Sequence, residues 1–417
     1  MRIGAYGAIA NASYSIAKAL RSAGHDVEYI TNPGDRYPMS QPFWEEVPLL
    51  LGPERFVDDV PRAAEWDQLA AAAGWERPAW IVDPAARGAR LPAIALARGL
   101  HISGVAPAAV RRLRGQIQAN SALIATMRRY DWLVVSGIGV VDAYLSGRPY
   151  TYWPNGGELR LLPFRDETPD DRFVAAGMRR AARGAAIAGT NDPTLAEVYE
   201  RLGVNSPPFL PFLVDTERFA PGVDGDDLVA ALRERAAGRP ILFLAARQDC
   251  YWKGTHRFVE AFEQVVGEGE RLFLVVSPWG ADADELGATL RSGPARRSVA
   301  FLEGVPSKPI LASLYGLADA VVDQFAIGAY GATMLEALAC GTTVLVFLDL
   351  PGFRRYWPDY REPPVVNVRR PGEIADALRA IARRSLDTTS LGSEGRRWVL
   401  EEHGPAQTVR YLPPSYR

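Results

Sequence analysis

At 417 residues and a formal net charge of −2, the chain is too long for one ordinary core and has no charge excess to draw it to nucleic acid. Its 48% hydrophobic and 23% charged residues place it among soluble globular proteins and outside the disordered classes. Two cysteines far apart, Cys250 and Cys340, and four histidines without ligand spacing argue against a disulfide framework and supply no metal motif.

Met1 to Tyr6 reads as a short apolar strand and Gly7 to Asn11 as a tight turn. Ala12 to Ala23 is a helix ended by Gly24, and Asp26 to Thr31 a second strand. A doubly wound parallel sheet opens this way, and its ligands gather at the carboxyl ends of the strands. No charged-then-apolar leader precedes the first strand, and no apolar run approaches ~18 residues, so no membrane span is expected and the expected compartment is cytoplasmic. The Pro- and Trp-rich stretch 37–87 lacks a clear period. Pro107 to Tyr130 is expected as a long helix, with Arg111, Arg112, Arg114, Arg128 and Arg129 on its wet face; peripheral membrane contact is the less favoured reading of that cluster. Strands follow at Trp132–Ser136, Tyr150–Trp153 and Ala185–Gly189, and Pro207 to Phe212 forms a proline-stiffened exit.

The second half alternates more cleanly. Ile241–Ala245, Leu272–Val276, Ser298–Leu302, Ala320–Asp323 and Thr342–Phe347 are strands, with helices at Thr255–Val266, Lys308–Leu317 and Gly331–Ala339. The expected fold is therefore α/β: two Rossmann-like, doubly wound parallel-sheet domains facing across a cleft. Their expected extents are 1–212 and 213–404, with 405–417 a tail free to return to the N-terminal domain.

Two stretches carry chemistry. Lys253 is one of three lysines in a chain otherwise supplied with arginine, and it lies six residues after Arg247 on a loop leaving a buried strand. A forked guanidinium beside a compact ammonium suits a diphosphate, although two solvated cations would look the same in sequence. Gly328-Ala-Tyr-Gly331-Ala-Thr-Met-Leu-Glu336 places a glycine turn before a helix whose first N–H groups are free to meet an anion; Glu336, a turn and a half in, is either a hydroxyl ligand or an ordinary exposed residue.

Taken together, these residues resemble the family-4 retaining glycosyltransferases of GT-B architecture. Arg247 and Lys253 match that family's Arg-x(5)-Lys pair, Tyr330-Gly331 its Phe-Gly, Glu336 its second glutamate and Gly341-Thr-Thr-Val344 its closing turn. Gly24-His-Asp-Val27, Val214 to Pro221 and Ala318-Asp319 agree as well, so the likeness runs from the first strand to about residue 350. It implies an N-terminal acceptor domain, a C-terminal donor domain and transfer of a sugar from a nucleoside-diphosphate sugar to a hydroxyl acceptor. No cofactor or metal is implied. Arg247, Lys253 and Asn155 are the implied catalytic residues.

On the donor side, the resemblance gives Glu336 the ribose, and the backbone of Ala332, Thr333 and Met334 the phosphates. It places Glu303, Gly304 and Val305 at the base, and Ser277, Trp279 and Gly280 near the nucleoside. Gly7 and Ala8 would approach the donor phosphate, while Asn11, Ser13 and Glu158 are acceptor candidates by position. Two positions depart from the pattern. Gly328 stands where the family's first glutamate holds sugar hydroxyls, which either moves that task to Asp323 or to backbone amides or implies a donor sugar without the hydroxyl that the glutamate binds; Asn155 replaces a histidine and cannot change charge near neutral pH. These departures keep two alternatives open: a GT-B coupling enzyme or epimerase, and a nucleotide-sugar-binding protein without catalysis. The acceptor is expected to be a soluble small molecule or natural-product scaffold, and the sequence does not give the oligomeric state.

Overall fold

The computed structural model of the chain describes residues 1–7, 11–32, 37–56, 63–84, 95, 98–99, 115, 117–222 and 227–416. Of the long helix expected over 107–130, only the later part falls among these residues; it includes a helix at Ser121–Met127. Arg111, Arg112 and Arg114 lie outside them.

Among the described residues, the chain builds two six-stranded sheets of the same winding. In the first, β1 (Arg2–Tyr6), β2 (Asp26–Ile30), β4 (Ile81–Val82), β5 (Trp132–Val135), β6 (Tyr150–Tyr152) and β7 (Ile187–Ala188) lie in the order β4-β2-β1-β5-β6-β7. The second takes β8 (Ile241–Leu244), β9 (Phe273–Val276), β10 (Val299–Phe301), β12 (Ala320–Val322), β13 (Thr343–Val346) and β14 (Val366–Asn367) in the order β10-β9-β8-β12-β13-β14. Every pairing in both sheets is parallel. The central strands are apolar apart from Thr343 and buried on both faces, as a parallel sheet covered by helices requires. The helix Thr255–Gly267 covers one face through Phe258, Phe262 and Val265, which recur at helical spacing.

Each winding order reverses beside its first strand, and that crevice takes ligands in an open α/β sheet. Tyr6 pairs with Val135 in one sheet and Leu244 with Val322 in the other. Gly7 thus leaves β1 beside the end of β5, and the segment after β8 starts beside Asp323 at the end of β12.

The two sheets are joined by more than the chain crossover. A short strand, β3 (Leu50–Leu51), leaves the N-terminal part and pairs antiparallel with β11 (Val305–Pro306). Buried Ser307 extends this seam: its Oγ donates to Val47 O at 2.6 Å and accepts from Leu49 N at 2.8 Å, and its N–H donates to Leu49 O at 2.8 Å. Beside it, Lys18 bridges Glu46 and Asp215 at 2.9 Å each, and Arg218 reaches Glu46 at 2.6 Å. After the last long helix, the segment Pro405–Tyr411 returns to the first sheet, where Tyr411 O accepts from Thr151 Oγ1 at 2.7 Å and Trp132 Nε1 at 3.1 Å.

Glu45 lies in the same seam, buried, facing Lys308 and Glu336 from the other side. Burial pushes its carboxyl up to about 7, against the opposing pull of Lys308. Glu45 Oε1 and Asn11 Oδ1 both lack a hydrogen-bond partner, and although Asn11 also pulls the Glu45 carboxyl down, burial wins and keeps its proton on beyond the ordinary carboxylate range. The folded state therefore keeps this proton after the unfolded chain has lost it, and the associated stability fades as pH rises from the ordinary carboxylate range through about 7. In paired thermal melts, Glu45→Gln should gain Tm relative to the parent between about pH 5 and about pH 8. A difference that does not change with pH would show that Glu45 is ionised throughout.

Candidate active site

The carboxyl ends of the two sheets enclose a cleft of about 440 Å³. Asn155, Gly157, Arg160, Leu161 and Asp192 border it on one side, and Arg247, Trp252, Lys253, Gln324, Ile327, Ala329, Tyr330 and Gly331 on the other. The structure thus brings Arg247, Lys253, Asn155, Tyr330 and Gly331 together although they come from opposite halves of the chain.

Arg247 and Lys253 stand on the loop after β8, which the loop after β9 locks in place. Gln248 donates its backbone N–H to Trp279 O at 2.8 Å and its side-chain amide to Ser277 O at 2.7 Å. Gly280 has φ +120°, and a Cβ there would lie 2.3 Å from Gln248 O, so the close approach of the two loops requires glycine. Arg247 Nη2 lies 3.0 Å from Asp249 Oδ2, and Lys253 Nζ lies 3.3 Å from Asp323 Oδ1. Each cation is held by one carboxylate and has further N–H donors to offer a ligand.

Asp323, one of the places to which sugar recognition could have moved, has its carboxylate sealed at the end of β12, with Oδ1 on Lys253 and Oδ2 buried without a partner. Its side chain holds the ammonium and has no face toward the cleft. Gly328 cannot carry the missing glutamate either: it has φ +80°, and a Cβ would lie 2.9 Å from both Asp349 Cβ and Phe347 Cε1. Gln324 ties this turn down, accepting from Ile327 N at 3.1 Å and donating to Ala329 O.

Gly331 caps the helix Ala332–Ala339 without any side-chain hydrogen bond, and no acidic residue occupies its first turn. The N–H groups of Ala332, Thr333 and Met334 are left without partners inside the helix, as in any first turn, and the positive end of the helix dipole lies at the border of the cleft. The Met334 side chain itself is core.

Several expected donor contacts are covered. Glu336 is buried, with Oε1 2.5 Å from Lys308 Nζ and Oε2 3.4 Å from Tyr315 OH. Burial alone would lower the Lys308 pKa, but Glu336 and Glu45 outweigh it and raise it. Gly304 lies under β3, where a Cβ would be 2.5 Å from Leu51 O, and Val305 is paired with Leu51. Glu303 remains exposed. Trp279 donates to Ala245 O at 3.3 Å and contacts Phe56 at 6.0 Å between ring centroids, while Ser277 is fully buried. The segment around 50–56 therefore covers Gly304 and Val305, two of the three positions expected to meet a base, and leaves Glu303 exposed.

On the N-terminal side, Gly7 has φ +134°, and a Cβ would lie 2.2 Å from Ser136 Oγ; Ala8 lies outside the described residues. Ser13 and Asn11 are both fully buried, Ser13 Oγ bonded to Tyr6 O and Ser136 Oγ and Asn11 Nδ2 to Gln41 O. Glu158 is also buried and accepts from Asn155 N at 2.6 Å; it positions Asn155, whose Nδ2 is a buried donor without a partner. Sequence reasoning missed Arg160 and Asp192, an ion pair at the cleft border, and Lys308. The scarcity of lysine was the only signal for Lys308; nothing local marks a pair separated by more than thirty positions.

Among the described residues, no group of three or more His, Cys, Asp or Glu side chains could hold a metal ion, and no helix is long and apolar enough to cross a membrane. Residues 239–384 match the family described as Glycosyl transferases group 1. No curated protein matches the chain. Among solved structures, it is similar to Anabaena HepE in complex with UDP and glucose, with a TM-score of 0.62 at 14% identity over 98% of this chain and 97% of that one. It is also similar to the sucrose-phosphate synthase of Thermosynechococcus elongatus (TM-score 0.60, 16% identity, 98% and 97% coverage) and to a glycosyltransferase from Rickettsia africae (TM-score 0.55, 13% identity, 98% and 96% coverage). The architecture shared over both halves is GT-B.

The geometry at Gly328 gives a direct prediction. Gly328→Ala should cost at least about 1 kcal/mol through its positive φ and the crowding at Asp349. Gly328→Glu, which writes the family residue back, should lower Tm further without improving donor binding. A Tm within about 1 °C of the parent for both variants would show that the turn is free to relax.

Proposed function

We propose that this GT-B glycosyltransferase, with its group 1 domain at residues 239–384, moves a sugar from a nucleoside diphosphate to a hydroxyl acceptor with retention of configuration and without a metal ion. The reading rests on one observation: Arg247, Lys253 and the free start of the helix Ala332–Ala339 converge on one cleft. As the diphosphate leaves, the anomeric carbon gains positive charge and the departing oxygens gain negative charge. Two cations and a helix N-terminus fixed in advance stabilise that separation, because they need not reorganise during the step. Asp249 and Asp323 supply the fixation by holding one cation each. Asn155 lines the cleft from the opposite domain, and a side-chain rotation would bring its partnerless Nδ2 to the donor.

The incoming hydroxyl would give its proton to the leaving phosphate oxygen, so the site needs no separate base. We place the donor in the unit starting near residue 213 and the acceptor against 1–212, where Arg160 and Asp192 border the cleft. Uridine nucleotides are the first donors to try, because HepE was solved with UDP and glucose. The acceptor is taken as a soluble small molecule. A coupling or epimerase chemistry is the second reading, favoured only by the absence of a side chain at Gly328.

Lys253→Ala should lower Tm, because it leaves the buried Asp323 carboxylate without its partner, and in the still-folded variant release of UDP and free sugar from UDP-glucose should fall by about 10² to 10³. Near-parent turnover in that variant would remove the clamp from the mechanism. Chelation by EDTA should leave the parent rate unchanged, and a rate lost to EDTA and restored by a divalent ion would overturn the metal-independent reading.

A further inference from the structure

Tyr330 borders the cleft, yet its hydroxyl is engaged inside the protein, 3.2 Å from Nε2 of fully buried His403. The other ring nitrogen, Nδ1, lies 2.8 Å from the carbonyl oxygen of Phe212. A carbonyl can only accept, so the Nδ1 position carries the proton. Burial pushes the imidazole down to about 3, so the ring is neutral and Nε2 is bare. The hydroxyl of Tyr330 must then be the donor. Hydrogen bonds run one way, from Tyr330 O–H to His403 and from His403 N–H to the Phe212 carbonyl.

His403 grips the crossover a second time through its backbone, whose carbonyl accepts from Val214 N at 3.2 Å. Tyr330 is equally fixed: its ring stacks on Phe353 at 5.4 Å and 1°, and the edges of Trp398 and His403 close the other sides. One end of this chain is the turn that delivers Gly331 and the helix start to the cleft. The other end is the segment Phe212–Val214, where the polypeptide passes between the two sheets. A phenylalanine at position 330, as in the family pattern, would keep the stacking and lose the link.

We propose that Tyr330 and His403 are positioning residues that register the 327–331 turn against the interdomain crossover, so that the helix start and Asn155 of the opposite half meet the same donor. The catalytic consequence rests on the glycosyl-transfer reading above; the mechanical coupling does not.

Hydrogen exchange on the intact protein tests the coupling. Tyr330→Phe should raise amide exchange by about tenfold in 209–214, which it does not touch after the substitution, as well as in 326–331. His403→Gln should do the same in both segments, and the double variant should add little to either single change. Changes confined to the segment nearest each substitution, or effects that simply add, would overturn the coupling. If His403→Gln lowers Tm sharply, Tyr330→Phe alone decides, since it keeps the ring and its stacking. The functional arm is hydrolysis of UDP-glucose. A fall in kcat of about tenfold with KM within about twofold supports the positioning role, whereas a change in KM alone overturns it. If the parent protein shows no turnover, the proposed function fails, and the exchange measurement still decides the coupling.

Discussion

A carboxylate with no exposed side-chain surface, Asp323, holds the ammonium of Lys253 at the mouth of the second sheet. A buried charge survives only if it is paired, and this one is paired across seventy positions of sequence. The pairing requires β8 and β12 to be neighbours, which the winding order of the sheet guarantees. It also requires the loop after β8 to be rigid, a task met by the Gln248 hydrogen bonds and the contact at Gly280. Lys253 is therefore presented at a fixed point, where electrostatic stabilisation of a leaving group gains most from preorganisation.

The same logic explains how the two halves act as one site. The seam of β3 with β11, anchored by Ser307, joins the sheets by main-chain hydrogen bonds as well as by side chains. Such a seam resists the free rotation that a single crossover would allow. It also puts Glu45 and Leu51 over the segment where a base and ribose were expected. Any nucleoside bound there must share that space with residues 45–56 or displace them, and the exposed positions left nearby are few. At Arg247 and Lys253 the side chains keep part of their surface exposed.

Much of this was legible in the sequence because it is local. Ile241–Leu244 and Val344–Val346 are uninterrupted apolar runs, and the helix from Thr255 repeats its aromatic residues every four positions; both patterns follow directly from burial. Arg247, Lys253 and the glycine turn at 331 stood out through their resemblance to a family pattern, and the fold brings them to one cleft. What could not be read depends on contacts between distant residues. The stretch 37–56 shows no period because its elements are one turn or two residues long and are shaped by the opposite half. Ser13 and Asn11 seemed available by position, but only the fold shows that Ser136 and Gln41 already hold them. Gly328 read as a missing side chain; its φ and its distance to Asp349 show instead a turn with no room for one.

The central claim is that this cleft is built for a diphosphate before it is built for a particular base or sugar. Calorimetric titration of UDP and of uridine into the same protein at low and moderate salt measures that claim most directly. The account predicts that UDP binds at least about 100-fold more tightly than uridine, and that salt erodes the difference. Equal affinities for the two, or a difference that salt leaves untouched, would contradict it.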